Sequence, residues 1–396
     1  MSFEVPEHIR ALRARVRQFI EERIYPVETQ LDERGDAARA LMRRLMDEAK
    51  AAGLWALGHP KEIGGQGLPF LDYVYVNEIV GRSEAAMVAL GTHSLQDSIM
   101  LNLHASPEWR DRYLAPLVAG VVFPSFAMTE PDVASSDPTQ LQTSARLDGD
   151  DWVISGRKWF TTGANVAAYT TVMARTEPTA APHAAFSMIV VPTDTPGYRI
   201  VREVPVMGIW GGHCEVAFED VRVPRQNLLG ARGAGFLIAQ QRLGPGRIFH
   251  CMRWLGQAQR AFDLMCERAN TRVAFGGPLA DKQQVQQMVF ETAAEIQACR
   301  LLTLDAAHKI DQGDPARVEI GIIKVVGAQM LHNAIDRAIQ VFGAKGVSGD
   351  TPLERMYRAA RLARIYDGPD EVHRVSVARL ILRDYKQGRG WDFGLR

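Results

Sequence analysis

The spacing of apolar residues changes twice along the chain. Over residues 1–122 apolar positions recur at steps of three and four, which is the repeat of a helix with one buried face; the first examples are Ile9, Leu12, Val16, Phe19 and Ile20. Over 123–233 short apolar runs lie between Gly, Pro and Asp turns, the pattern of β-strands. Helical periodicity returns over 234–396. We therefore predict an α+β fold with an N-terminal helical domain (1–122), a middle β domain (123–233) and a C-terminal helical domain (234–396).

Local signals divide these domains further. A glycine-rich loop at Pro60–Gly67 interrupts the helical pattern of the first domain. Runs of β-branched and aromatic residues predict strands in the second domain at Trp152–Ser155, Tyr169–Ala174, Phe186–Val191 and Val216–Val221. Gly and Pro predict breaks between the helices of the third domain at Arg272–Pro278, Gln312–Pro315 and Gly343–Pro352.

Composition and charge argue against several classes of function. The 396 residues carry 46 Lys and Arg against 46 Asp and Glu, so no net field would attract nucleic acid or an anionic membrane. No apolar run approaches the length of a membrane span. The four cysteines are scattered, without a C-x-x-C pair or histidines at metal-binding spacing. We predict a cytoplasmic protein that binds neither nucleic acid nor metal and does not insert into membranes.

Two C-terminal segments indicate chemistry. The turn Arg364–His373 places Asp367 just before Gly-Pro and an apolar helix, which makes its carboxylate a candidate general base. Upstream, Gln340–Gly346 has the pattern of a helix end followed by glycines, where backbone N–H groups can receive a phosphate. Each segment alone is more often an ordinary turn or helix stop. Together they indicate a nucleotide cofactor beside a proton-abstracting acid.

Two segments of the β domain complete an ordered set of motifs. They are Phe126–Asp137, which reads FAMTEPDVASSD, and Ile154–Ala164, which reads ISGRKWFTTGA. With them the chain resembles the acyl-CoA dehydrogenase family, which has a TEP…SD loop, a G-x-K-x-W-I-T strand, an R-x-x-F-G…Q segment, a Q-x-F-G-G-x-G turn and a Y-E-G-T motif. Five motifs in one order are far more specific than any one of them. Trp210–Pro224 and Arg242–Arg247 look most like the subgroup implicated in breakdown of 4-hydroxyacyl-CoA.

The resemblance implies a fold and an activity. The C-terminal domain would be a four-helix bundle, and FAD would bind between it and a middle β-barrel or sheet domain. The activity would be α,β-dehydrogenation of an acyl-CoA to the 2-enoyl-CoA in fatty acid β-oxidation. Electron-transfer flavoprotein would accept the electrons, and the protein would be a homo-oligomer, a dimer of dimers.

The acyl chain and the reaction type leave alternatives. The small, apolar run Ala85–Thr92 falls where the family's acyl cavity is lined, which favours a medium or long chain, with a 4-hydroxyacyl-CoA as one option; the same run also suits tight helix packing. A flavin oxidase or monooxygenase on this fold would use the same FAD contacts. A non-catalytic flavoprotein that binds a macromolecule is a third option, against which Asp367 and the balanced charge argue.

The resemblance makes Asp367 the base that takes the α-proton, with its backbone N–H donating to the thioester oxygen. The family usually has Glu there, and Asp is shorter by on the order of 1.5 Å of reach. Some members carry the base at the position of Gly246, which has no side chain to serve. Asp370 and Glu371 are nearby alternatives, ranked after Asp367.

The resemblance also implies binding residues. The flavin would be contacted by the TEP loop, the strand after it and the Asp367 segment, at Phe126, Met128, Thr129, Ser135, Ser136, Phe160, Thr161, Thr162, Pro369 and Glu371. The adenosine diphosphate half would be held on a neighbouring subunit by Arg272, Phe275, Gln283, Gln340, Val341, Gly343 and Ala344. The substrate would be contacted by Ser136, Arg247 and Gly368.

Two of these assignments keep alternatives. Either Trp159 or Phe160 meets the flavin, and Phe160 shares a strand face with Thr162, two residues on. The TEP loop has one residue more than the family pattern, so either Ser135 or Ser136 is the matching serine, with Ser136 favoured.

Overall fold

A computed structural model describes residues 5–33 and 35–393 of the chain. The order of helices, strands and helices is the predicted one, and the α+β class is confirmed. The helices are α1 (Glu7–Phe19), α2 (Glu28–Asp32), α3 (Asp36–Ala51), α4 (Phe70–Val80), α5 (Glu84–Ala89), α6 (Leu95–His104), α7 (Pro107–Trp109), α8 (Ala115–Val118), α9 (Gly235–Thr271), α10 (Gln283–Asp311), α11 (Arg317–Phe342), α12 (Leu353–Leu362) and α13 (Asp370–Lys386). The predicted breaks between the C-terminal helices all fall between observed helices.

The strands contain all four predicted strands and extend each of them. They are β1 (Pro124–Ala127), β2 (Ser144–Asp148), β3 (Asp151–Thr162), β4 (Tyr169–Arg175), β5 (Phe186–Pro192), β6 (Tyr198–Glu203), β7 (His213–Pro224), β8 (Leu228–Leu229), β9 (Val273–Ala274) and β10 (Gly277–Pro278). The last two form a short antiparallel hairpin between α9 and α10.

The chain divides into two compact units. The helical unit comprises the residues up to Ala51, Pro69–Leu90 and the residues from Gly244 onward; the sheet unit comprises Ala52–Leu68 and Gly91–Leu243. Among the described residues, none of the helices has the length and apolar character needed to cross a membrane. In that same part of the chain, no cluster of three or more His, Cys, Asp or Glu side chains is arranged to hold a metal ion.

Close helix packing organises the helical unit. Of the apolar positions predicted to face inward, α1 buries Ile9, Val16 and Phe19, whereas Leu12 is only partly buried. Two glycines let α4 approach α9: a Cβ on Gly81 would lie 2.3 Å from the Arg253 Cα, and one on Gly256 would lie 2.0 Å from a carbonyl oxygen of α4. Hydrogen is the only side chain that such distances permit. This contact fixes the part of α9 that carries the functional residues described below.

One twisted sheet organises the sheet unit. Its strand order is β6-β7-β3-β2-β4-β5-β8, and β1 pairs in parallel with β4. Every residue of β5 and nearly every residue of β4 is buried, so both faces of these strands are covered. Trp152, Val172, Ile189 and Phe218 lie in the apolar core of the sheet. The longer strand β3 pairs with β7 and carries the candidate flavin residues at its end.

Candidate active site

The turn between α12 and α13, residues 363–369, is named here the Asp367 turn. Asp367 (φ 55°) and Gly368 (φ 99°) both have left-handed backbone conformations. Glycine adopts this conformation without strain, and aspartate adopts it more readily than most other residues. Pro369 then precedes α13, which begins at Asp370. The predicted turn is present and presents a carboxylate directly before a helix.

Two helices hold the main chain of the Asp367 turn. The Asp367 carbonyl oxygen accepts hydrogen bonds from Arg247 Nε of α9 and from His373 Nε2 of α13, each at 3.1 Å. A Cβ on Gly368 would lie 2.7 Å from His373 Nε2, so a larger residue would displace this contact. Burial, followed by the nearby Arg247 charge, lowers the pKa of His373 to about 4. His373 is therefore a neutral donor at neutral pH.

The Asp367 carboxylate has a partner that was not predicted from the sequence. His250 of α9 lies with Nε2 at 3.1 Å from Asp367 Oδ2, and both side chains remain about one quarter exposed, at 24% and 23%. The other ring nitrogen, Nδ1, lies 2.9 Å from Arg253 Nη2. Burial lowers the pKa of His250, with the Arg253 charge as the next cause. The ring is therefore neutral and bridges an arginine and the candidate base.

Lys324 of α11 and Trp254 of α9 also donate hydrogen bonds to the Asp367 turn. Lys324 of α11 is fully buried and donates from Nζ to the carbonyl oxygens of Ala363 (2.6 Å) and Gly368 (3.3 Å). Trp254 Nε1 donates to the Tyr366 hydroxyl at 2.8 Å. Burial lowers the pKa of Lys324. Because α9, α11 and α13 all contribute donors, the position of the turn is fixed by side chains far apart in sequence.

The two alternative carboxylates have other surroundings. Asp370 is 2% exposed and accepts from Arg364 Nε at 2.8 Å, so it closes the turn as half of an ion pair. Glu371 is exposed on the first turn of α13. Asp367 is the carboxylate of the three that is both partly exposed and held in place.

In the sheet unit, the TEP loop (Phe126–Asp137) is bonded to β3. The Trp159 N–H donates to the Thr129 carbonyl at 3.0 Å, and the Thr129 hydroxyl donates back to the Trp159 carbonyl at 2.7 Å. Lys158 Nζ donates to the Met128 carbonyl at 2.7 Å. The motif segments 126–137 and 154–164 are therefore adjacent, and several of their polar groups form the hydrogen bonds that join them.

The glutamate of the TEP loop is a structural residue. Glu130 pairs with Lys158 at 2.8 Å, and both side chains are buried. Its carboxylate also accepts from the backbone N–H groups of Gln142 (2.7 Å) and Thr143 (2.9 Å). Burial lowers the pKa of Lys158 to about 8. This pair anchors the loop and is not available to a ligand.

The two candidate serines differ in their contacts. The Ser135 hydroxyl accepts from the Glu130 N–H at 2.9 Å, which places it inside the loop. Ser136 is exposed, and within residues 5–33 and 35–393 its hydroxyl makes no hydrogen bond to the protein. The geometry favours Ser136 as the serine that meets a ligand.

Phe126 lies beside a buried ion pair. The Arg242 guanidinium lies 4.5 Å from the centre of the Phe126 ring and pairs with Asp97 at 2.9 Å. The stacking of a paired arginine on the ring fixes the start of the TEP loop.

A β-bulge shapes the end of β3. The register with β7 shifts between Lys158 and Thr161, and Phe160 within the shift has a φ of 51°. In a regular strand, residues three apart face opposite sides of the sheet. Lys158 and Thr161 are three apart and both buried, so the bulge interrupts the alternation of side chains between the two faces. Phe160 and Thr162 are both exposed, as their shared face predicts.

His213 of β7 completes this surface. Its Nδ1 lies 2.8 Å from the Thr162 hydroxyl, and its ring lies 5.8 Å from that of Phe160. Trp159 packs edge-on against Phe160 at 4.8 Å and is less exposed. The bulge thus presents an aromatic ring, a hydroxyl and an imidazole together, whereas the Thr161 side chain faces the core.

Most residues expected to reach a neighbouring subunit's cofactor are exposed. Phe275, at the tip of the β9–β10 hairpin, is 99% exposed. Val341 is buried and can contribute only its main chain, and Gly343 (φ 66°) ends α11. Arg268 lies over the Phe342 ring at 5.4 Å, so the end of α9, which leads into the hairpin, is a neighbour of the end of α11. The exposed residues are Arg272, Phe275, Gln283, Gln340 and Ala344.

Three residues at the Asp367 turn were missed from the sequence: His250, Lys324 and His373. Only His250 carried a usable signal, because it lies one helical turn after Arg247 and so shares its face. His373 lies at the end of the predicted Arg364–His373 turn, but its sequence position alone predicts no role for it. Nothing in the sequence places Lys324 at the turn, 39 residues from its bonded partner Ala363.

Comparisons with known proteins agree with this geometry. Models of the N-terminal, middle and C-terminal domains of acyl-CoA dehydrogenase match residues 6–121, 125–221 and 233–382. FadE2 of Mycobacterium tuberculosis, named as an acyl-CoA dehydrogenase, is 46% identical over 384 residues, covering 93% of each chain. An acyl-CoA dehydrogenase structure from Mycobacterium abscessus is 37% identical with a TM-score of 0.91, covering 97% of this chain and all of that one.

A more distant solved structure shares the fold. PigA, solved with FAD and proline, has a TM-score of 0.87 at 24% identity and covers 98% of this chain and all of its own. The matched domain models span nearly the whole chain in the predicted order. The chain therefore belongs to the acyl-CoA dehydrogenase family and is an FAD-dependent oxidoreductase that acts on acyl-CoA.

Proposed function

We propose that this chain converts a medium- or long-chain acyl-CoA to the 2-enoyl-CoA, with Asp367 as the base that takes the α-proton. The observation that carries the proposal is the Asp367 turn: its carboxylate is partly exposed, while its main chain is bonded by Arg247 and His373. A base acts well only if it is held at the reacting atom. Asp370 and Glu371 lack that combination.

The reaction breaks the Cα–H and Cβ–H bonds and forms a C=C bond. The Cα proton passes to the Asp367 carboxylate, and the electron pair left at Cα forms the new double bond as hydride leaves Cβ. FAD supplies the acceptor for that hydride when it is bound. The Asp367 backbone N–H would polarise the thioester carbonyl and make the α-proton more acidic. The left-handed backbone at Asp367 offers a way for a shorter acid to reach its target, since it redirects the side chain.

The bulge at the end of β3 fits the ring system of the cofactor. Phe160 offers a half-exposed aromatic face, and Thr162 offers an exposed hydroxyl on the same surface. Such a surface suits a flat, partly apolar heterocycle with hydrogen-bonding edges. The Thr162 hydroxyl donates weakly to the Phe160 carbonyl at 3.4 Å, and its proton can turn outward to a ligand when His213 Nδ1 carries its own proton and donates to Thr162 at 2.8 Å. We propose Phe160, rather than Trp159, as the aromatic contact.

The exposed hairpin supports a homo-oligomer. Phe275 is 99% exposed and Val273 of the same hairpin is 64% exposed, so the hairpin presents two apolar side chains to water. Arg272 directly precedes the hairpin, and its guanidinium fork suits a pyrophosphate. We propose that this end of the helical unit holds the adenosine diphosphate half of the cofactor of a second copy. Electron-transfer flavoprotein is the proposed electron acceptor, on the family resemblance.

The acyl chain length is proposed from small side chains in α5. Ala85, Met87 and Val88 are only partly buried and leave room for a chain, whereas Ala86 and Ala89 are buried in helix packing. A panel of straight-chain and 4-hydroxyacyl-CoA thioesters would measure the preference by anaerobic bleaching of the flavin. The 4-hydroxy members test the subgroup that Trp210–Pro224 resembles.

The test of the proposed base is Asp367→Asn. The amide is nearly isosteric but has negligible basicity, so we expect bound FAD, unchanged thioester affinity, and bleaching slowed by about 10²- to 10⁴-fold. Asp350→Asn, the same change at an exposed position of the helical unit, is the matched control and should bleach like the unmodified protein. Bleaching of Asp367→Asn at the unmodified rate would assign the proton to another group and refute the proposed base.

A further inference from the structure

The His250–Asp367 contact has a defined direction. A guanidinium has only N–H donors, so His250 Nδ1, at 2.9 Å from Arg253 Nη2, must be the acceptor of that bond. In a neutral imidazole the proton then lies on Nε2, the atom 3.1 Å from Asp367 Oδ2. The chain of donors therefore runs from Arg253 through His250 to the carboxylate.

The charges around this chain keep His250 neutral. Asp367 alone would favour an imidazolium, but burial and the nearby cations oppose it. The titratable and charged groups that face the pair come from α4, α9, α11, α13 and the turn, and they are Tyr73, Arg247, Cys251, Arg253, Lys324, Tyr366, Asp370 and His373. Cations are the majority of the charged members, so a further positive charge on His250 is disfavoured.

We propose that His250 is a positioning residue for Asp367: a neutral imidazole that donates from Nε2 to Oδ2 and orients the carboxylate for proton abstraction. This inference rests on the proposed function, in which Asp367 takes the α-proton. His250 does not itself accept the proton, because one ring nitrogen already carries a proton and the other accepts from Arg253.

A neutral donor suits a base better than a cation would. A cation 3 Å away stabilises a carboxylate strongly and so weakens it as a base, whereas a neutral N–H fixes its orientation with a smaller loss of basicity. The bond also occupies one side of Oδ2, which leaves the carboxylate fewer orientations. Packing of the His250 ring, 5.1 Å from Tyr366 and 6.0 Å from Trp254, holds the donor in place. The contact with His250 therefore gives the Asp367 carboxylate the fixed orientation that a reacting group needs.

Two variants separate the donor from the ring. His250→Phe keeps a planar ring against Tyr366 and Trp254 but has no N–H, whereas His250→Gln keeps a neutral amide N–H near the position of Nε2. Proton abstraction is measured alone with the 3-thia analogue of the best acyl-CoA substrate, in which sulfur replaces Cβ and prevents hydride loss. Exchange of its α-protons with D2O, followed by mass spectrometry, reports only the base. Melting temperature and the flavin spectrum verify that each variant is folded and holds FAD.

We expect His250→Phe to slow the exchange by about 10- to 100-fold, because a loosely held base acts poorly. The acidic limb of its pH profile should move to higher pH, since losing a donor favours the protonated carboxyl. His250→Gln should restore most of the rate and the profile. In unmodified protein with ¹⁵N-labelled histidine, subtraction of the His250→Gln spectrum should reveal a neutral ring protonated on Nε2 and not on Nδ1.

Several results would overturn the assignment. Exchange and a pH profile like those of the unmodified protein in His250→Phe would show that the donor is irrelevant. Slower exchange in His250→Gln than in His250→Phe, with an unmoved pH profile, would reduce His250 to a packing role, because only phenylalanine keeps the ring. A neutral His250 ring with its proton on Nδ1 would leave Nε2 without a proton, so His250 could not donate to Asp367 Oδ2. Asp367→Asn serves as the reference: if it exchanges normally, the proposed base fails, and if it is inactive while His250→Phe is normal, only the positioning role fails.

Discussion

Each of the two units contains a contact between a carboxylate of a family motif and a basic side chain, and the two contacts differ in burial. In the sheet unit, Glu130 and Lys158 are 5% and 0% exposed, and the glutamate also accepts from two backbone N–H groups. In the helical unit, Asp367 and His250 are about one quarter exposed, and the donor is neutral. The first carboxylate is paired with a full charge and enclosed, whereas the second is held but reachable.

This difference separates structural from chemical carboxylates. A carboxylate that is bonded on both oxygens and beside a cation is stabilised in its charged form and cannot take a proton from a substrate. A carboxylate that is held through its main chain, contacts a neutral imidazole and stays partly exposed can still be reached by a substrate proton. Residue type within a motif is therefore a weaker guide to the role of a carboxylate than its burial and the charge of the side chain that it contacts.

The largest effect is expected from Glu130→Gln. The substitution leaves the Lys158 charge buried without its counter-charge, and loss of one partner of a buried pair typically costs about 3–5 kcal/mol of the free energy of unfolding. Urea unfolding of the FAD-bound protein measures this loss. Glu219→Gln, which removes one partner of an exposed pair with Arg199, is the control and should cost less than about 1 kcal/mol. A loss from Glu130→Gln as small as that of the control would show that the sheet contact is not structural.

A smaller effect on stability is expected from Gly368→Ala. The residue has a φ of 99°, and its Cβ would lie 2.7 Å from His373 Nε2, so the change should cost about 2 kcal/mol. Since the turn would shift with its carboxylate, flavin bleaching should also slow by about 10²-fold. Gly349→Ala, at an exposed position where a Cβ meets nothing within 4 Å, is the control. Normal bleaching in Gly368→Ala would mean that the position of the turn does not control the base.

The same contrast explains what could be predicted from the sequence. The helix and strand order and the breaks between the C-terminal helices follow from local periodicity and turn residues, and they were predicted correctly. The bulge at Phe160 was not predicted, because its φ depends on pairing with β7. His250 and Lys324 at the Asp367 turn were missed because they reach it from α9 and α11, distant in sequence. Backbone features within a motif are local, whereas the side chains that tune a carboxylate are not.

The smallest expected effect is on the pH dependence of the free energy of unfolding. One buried histidine in each unit, His59 and His373, should contribute to it. Burial lowers the pKa of His59 to about 4 in the sheet unit, with the nearby His93 as the second cause, and burial followed by Arg247 lowers that of His373 to about 4 in the helical unit. An unfolded histidine has a pKa near 6.5. Below that pH the unfolded chain binds protons that the folded chain does not, so the free energy of unfolding falls as pH drops toward 4 and levels off below it.

Each histidine should therefore remove about 1 kcal/mol between pH 7 and 5.5. His59→Gln and His373→Gln should each flatten the pH dependence of urea unfolding by that amount, measured against the unmodified protein over the same range. Equal flattening would show that the two sites exclude water alike, although only one adjoins a partly exposed carboxylate. If His373→Gln left the pH dependence unchanged while His59→Gln flattened it, water would reach the Asp367 turn, and His373 would titrate there almost as it does in the unfolded chain.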